Sequence, residues 1–121
     1  MLKIAILALL VTGLSSPATS RFHLTLVESN PKAGATLTSS PPEVLLRFNE
    51  RLDTSRRAIT IRGPAGAVAM GPVRSVADTL AFAASIPATL PAGEYTVSWL
   101  AAAPDHAAIR GRFTFKVGTG R

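Results

Sequence analysis

The sequence has no cysteine, only two histidines, His23 and His106, and only two methionines, Met1 and Met70. The absence of cysteine excludes disulfide reinforcement, a thiolate metal site and a cysteine nucleophile. Acidic residues are few, seven against thirteen lysines and arginines. Aromatics are also sparse, with five Phe, one Tyr and one Trp. No apolar run reaches the roughly 20 residues that a membrane-spanning helix needs. No nucleophile elbow, phosphate-cradling glycine loop or zinc-protease helix is present. Gly63-Pro64-Ala65-Gly66 is a turn, because neither a lysine nor a helical pattern follows it. No spacing of Ser and His argues for a triad, so an enzyme is not expected.

What is there begins with an export signal over residues 1–20. Lys3 supplies a short basic region, Ile4 to Leu14 form an apolar stretch of signal-peptide length, and Ser15-Ser16-Pro17 breaks it. Ala18-Thr19-Ser20 places small residues where a signal peptidase reads. Cleavage after Ser20 would make Arg21 the new N-terminus; cleavage after Ala18 is the alternative. Residues 21–121 suffice for one domain with one core. Without Lys3 the remaining chain carries twelve basic residues, ten of them Arg, against seven acids, a net charge of +5. These arginines are scattered and not interleaved with aromatics, so a solvated basic surface is expected, with no nucleic-acid partner.

Hydrophobic periodicity after residue 22 is two. Strands are predicted over Glu43–Asn49, Ala58–Arg62, Thr79–Ala83, Glu94–Leu100 and Arg110–Val117, with a weaker one over His23–Val27. Proline and glycine clusters at residues 30–34, 40–42, 63–66, 71–72 and 91–93 separate them. About seven strands at this spacing predict an all-β sandwich. Residues 101–109 read as the loop between the last two strong strands. Trp99, Phe48, Phe82, Phe113 and Phe115 are expected in the core.

The chemistry the sequence can support is a metal site. A chain beginning Arg21-Phe22-His23 offers an amine, two amides and an imidazole, a square-planar nitrogen set suited to Cu(II) or Ni(II). Asp105 and His106 lie in the loop before the last strand. The competing reading of His23 is an ordinary surface or edge-strand histidine.

From His23 onward the chain resembles the CopC-type periplasmic copper-binding domains of the copper-resistance family. The matching segments are His23-Leu24, ESNPKAGATL at 28–37, PPEV at 41–44, LRFNE at 46–50, LPAGEYTVSW at 90–99 and GRFTF at 111–115. The resemblance implies an immunoglobulin-like Greek-key sandwich or barrel. It also implies copper binding or delivery outside the cytoplasm, commonly beside a membrane copper transporter, without catalysis. A monomer is expected, although no residue pattern bears on oligomeric state. Cu(II)-binding members begin the mature chain with His-x-His and add Asp-x-His before the last strand. Here Arg21 stands at the leading histidine and His23 at the second. Asp105 falls on the family's Asp, His106 on the intervening residue and Ala107 on the family's His. The methionine-rich stretch that holds Cu(I) in some members is missing. The expected metal set is therefore His23, Asp105, His106 and the amine of Arg21, taking Cu(II). The alternative is an interaction module that keeps the fold with a degenerate or lost site.

Overall fold

The computed structural model describes residues 23–76 and 79–118. The signal segment, Arg21 and Phe22 lie outside the described residues, so the export reading and the amine of Arg21 have no structural counterpart here. Among the described residues there are nine strands and no helix. They are β1 (Leu26–Asn30), β2 (Thr36–Leu37), β3 (Glu43–Phe48), β4 (Ala58–Gly63), β5 (Gly66–Val68), β6 (Val73–Ser75), β7 (Ala81–Ser85), β8 (Gly93–Ala101) and β9 (Ile109–Val117). The strands beyond the expected seven are short ones of two or three residues, in which alternation leaves little trace.

They form two sheets in a Greek-key sandwich, one ordered β1-β3-β7-β6 and the other β2-β9-β8-β4-β5. The chain crosses between sheets after β1, β2, β3, β5 and β7. Alternation explains the faces. In β3, Val44, Leu46 and Phe48 are buried, while Leu45 and Arg47 between them remain partly exposed. Tyr95 and Val97 of β8 and Phe115 and Val117 of β9 supply the opposing wall of the core. β1 begins at Leu26, later than the alternation at His23–Val27 suggests, because residues 23–25 are tied to Asn49 instead of continuing the ladder.

Aromatic rings bridge the sheets. Phe48 meets Phe82 edge-on at 5.7 Å and Trp99 at 5.1 Å, linking β7 and β3 to β8. Trp99 pairs with Gly111 across the β8–β9 ladder, and its indole lies over that glycine. A Cβ at position 111 would come within 2.3 Å of the ring, so only glycine lets Trp99 fold down at this place. The long β8–β9 pair, Gly93 to Ala101 against Ile109 to Val117, projects residues 102–108 from one end of the sandwich.

Candidate metal centre

That end carries an open cleft of about 510 Å³, bordered by His23, Thr25, Ala103, His106, Ala107 and Ile109 among others. Two separate stretches of chain form it, and the connection between β3 and β4 fastens both. At the start of this connection, the Asn49 side-chain amide donates to the His23 carbonyl at 3.1 Å and accepts from the Thr25 amide at 2.8 Å. The Asn49 backbone amide donates to the Thr25 carbonyl at 3.1 Å. His23 is therefore held by its backbone, and its exposed ring is left free of structural duty.

Near the other end of the connection stands Arg56. Its guanidinium donates to the His106 carbonyl at 2.7 Å and to the Ala103 carbonyl at 3.1 Å. Its Nε donates to Asp53 Oδ2 at 2.8 Å. Asp53 is oriented in turn by the Ser55 hydroxyl and amide, both on Oδ1, and its own amide donates to the Ala102 carbonyl. The hydrogen bonds from the Ser55 side chain, the Ser55 backbone and Arg56 lower the Asp53 pKa from 3.8 to about 2.

The loop itself is a turn over Ala103-Pro104-Asp105-His106, closed by the His106 amide on the Ala103 carbonyl at 3.2 Å. Asp105 has φ 65°, a left-handed conformation that Asp tolerates and that a type II turn requires at its third residue. The His106 ring completes the turn, with Nδ1 2.8 Å from the Pro104 carbonyl. A carbonyl can only accept, so neutral His106 carries its proton on Nδ1 and presents Nε2 with a free lone pair. A backbone carbonyl orienting one ring nitrogen is the usual support for a histidine that binds metal through the other.

Of the four expected metal-site residues, the fold brings His23 and His106 to one cleft. Asp105 is exposed at the turn and does not border that cleft, and Arg21 is outside the described residues. Ala107 also borders it, so the position where the resemblance expects histidine presents a methyl group, while His106 reaches the cleft from one residue earlier. Among the described residues no group of three or more His, Asp or Glu is close enough to hold an ion. Met70 packs against the core, which leaves no cluster of thioethers among the described residues. Nitrogen and oxygen donors without thioether sulfur suit Cu(II) and not Cu(I). Sequence reasoning missed Asn49, Asp53 and Arg56. Only Asp53-x-Ser55 left a local signal, as a side-chain-capped turn.

The two sheets and their connections define a class, the small all-β Greek-key domains. The CopC domain family model matches residues 26–118, and the chain belongs to that family. The match takes in Asp105 and His106 and begins just after His23. Protein YobA of Escherichia coli K12 is 29% identical over 113 residues, covering 92% of this chain and 90% of that protein; YobA of Shigella flexneri gives the same values. The crystal structure of CopC from Methylosinus trichosporium OB3b has a TM-score of 0.73 and 27% identity, covering 82% of this chain and 97% of that one. PcoC of Escherichia coli, described as a methionine-rich copper resistance protein, has a TM-score of 0.68 and 31% identity, covering 78% and 98%. Family membership and these neighbours support a copper-related function.

Proposed function

We propose that the processed protein binds Cu(II) in the His23–His106 cleft and sequesters or delivers it in the periplasm as a monomer, handing it to a membrane copper transporter. The observation that carries this reading is the placement of both histidines on one cleft, with Nδ1 of His106 on a carbonyl and Nε2 free. Arg21 contributes its amine when cleavage falls after Ser20, and the third-place His23 then closes the nitrogen set. Asp105 joins as a ligand only if its turn rearranges, so it is the weakest member of the set. Copper is cargo here: the chain supplies nitrogen donors, a fixed tautomer and an open cleft through which the ion can enter and leave.

N-terminal sequencing of the exported protein establishes whether the chain starts at Arg21. Titration with Cu(II), followed by fluorescence of Trp99 beneath this end of the sandwich, then tests the site. Binding at 1:1 with quenching is expected. It should be lost in His23→Ala and in a chain extended by one residue ahead of Arg21. Equal binding by the extended chain would remove the amine from the ligand set. No quenching and no rise in melting temperature with excess Cu(II) would leave a family fold whose copper site is lost. An interaction module would need a broad exposed apolar patch. The described residues offer one exposed large hydrophobic, Val27.

A further inference from the structure

The sheets treat their charges differently. Around the four-stranded sheet, Glu28 pairs with Arg47 at 3.5 Å and Glu43 pairs with Arg74 of β6. The outer face of the five-stranded sheet has no such neutralisation. The alternation of β9 turns Arg110, Arg112 and Lys116 outward, and that of β4 turns Arg62 outward. Among the described residues none of these four makes an ion pair or a side-chain hydrogen bond. Glu94 is the one acid on this face; it stands opposite Lys116 in the ladder without pairing to it.

Register fixes the shape of the patch. Arg112 lies opposite Ser98, and Thr114 lies opposite Thr96, which in turn lies opposite Arg62. At about 3.4 Å per residue the cations of β9 span roughly 20 Å, and Arg62 sits two strands away, about 10 Å. Thr60, Thr96 and Ser98 share a shallow depression with Arg62, Arg112 and Glu94, so hydroxyls lie between the guanidinium groups and two cations outnumber the one carboxylate that lines it. The aromatic residues of these strands turn inward, with Tyr95 and Phe115 buried.

We infer that this face docks on a membrane surface carrying anionic phospholipids. Guanidinium groups and hydroxyls are matched donors for phosphate oxygens. A shallow, wide, charged face without an apolar centre suits a fluid array of headgroups. A protein partner would call for a desolvated aromatic or aliphatic hot spot, which the face lacks. The patch begins at Arg110, next to Ile109 on the rim of the histidine cleft, so docking would keep that cleft near the bilayer. The inference stands independently of whether copper binds.

Sedimentation of the processed protein with vesicles tests it. Pure phosphatidylcholine vesicles are compared with vesicles containing one-third phosphatidylglycerol, at low salt and at about 0.5 M salt. Binding is expected only to the anionic vesicles and only at low salt. An apolar leader left on the chain would raise binding to both vesicle types alike, so the contrast survives it. Arg112→Glu and, independently, Arg62→Glu should each weaken partitioning roughly tenfold. Arg74→Glu changes net charge equally but lies on the other sheet, and should change partitioning less than about twofold. Arg74→Glu weakening binding as much as Arg112→Glu would reduce the effect to net charge and overturn the inference. Absence of any preference for anionic vesicles would also overturn it and leave the face to an acidic protein partner.

Discussion

His23 and His106 reach one cleft by attachments of different chemistry. The segment bearing His23 is fastened by a neutral amide, Asn49, through two side-chain hydrogen bonds and one backbone bond. The loop bearing His106 is fastened by a cation, Arg56, which bonds two carbonyls and is backed by the Asp53 carboxylate. Both attachments spring from the same β3–β4 connection, so a short piece of chain that contributes no expected ligand sets the spacing of both histidines. The difference lies in what can undo them. The His23 side should be nearly indifferent to salt and acid, and the His106 side should respond to both.

The largest expected effect comes from Arg56→Ala. It deprives the Ala103 and His106 carbonyls of a charged donor and should cost about 2 kcal/mol in urea unfolding. Cu(II) affinity should fall with it if His106 is a ligand. Asn49→Ala should cost less, about 1 kcal/mol, because water replaces hydrogen bonds made at an exposed segment. Chemical denaturation of both variants checks the order, and a larger loss in Asn49→Ala would reverse the comparison. Repeating the pair at about 0.5 M salt should shrink the Arg56 effect and leave the Asn49 effect unchanged.

The smallest effect is the acid response. The folded-state pKa of Asp53 is lowered from 3.8 to about 2, so its contribution is present above pH 3.8 and is lost as pH falls toward 2. Wild type should therefore melt a few degrees above Asp53→Asn at pH 6, with the difference closing between about pH 4 and pH 2. A difference that persists at pH 2 would show that the Asp53 carboxylate does not govern the clamp.

Much of the fold was legible because alternation is a local property. EVLLRF, AITIR, EYTVSWL and RGRFTFKV each declare a buried face in a few residues, and β3, β4, β8 and β9 follow them closely. β2, β5 and β6 are too short to alternate visibly. At the site, a loop between the last two strong strands was readable, and it lies between Ala101 and Ile109. The clamp was not, because Arg56 and His106 are 50 positions apart and only strand pairing brings them together. The same holds for Arg62 and Arg112, scattered in sequence yet gathered on one face by β8 between them. His106 illustrates both limits. Aligned on residue type, it falls beside the position where the family has histidine; in the folded turn it borders the cleft.

The outer edge of β9 has a consequence for crowded surroundings. Among the described residues, the chain from Gly34 to Leu37 covers this edge only from Thr114 onward, leaving Ile109 to Phe113 without a neighbouring strand. Bare backbone of this kind invites a second copy to add its own edge and seed a chain of copies. Here an incoming β9 paired antiparallel about Gly111 would bring Arg110 against Arg112 of the second copy, and Arg112 against its Arg110, like charges directly opposed. Gly111 between them offers no side chain to grip, since the Trp99 ring already lies over it. The arrangement favours molecules that stay apart at high concentration, a form of colloidal self-protection for a small β protein that has no disulfide to fall back on.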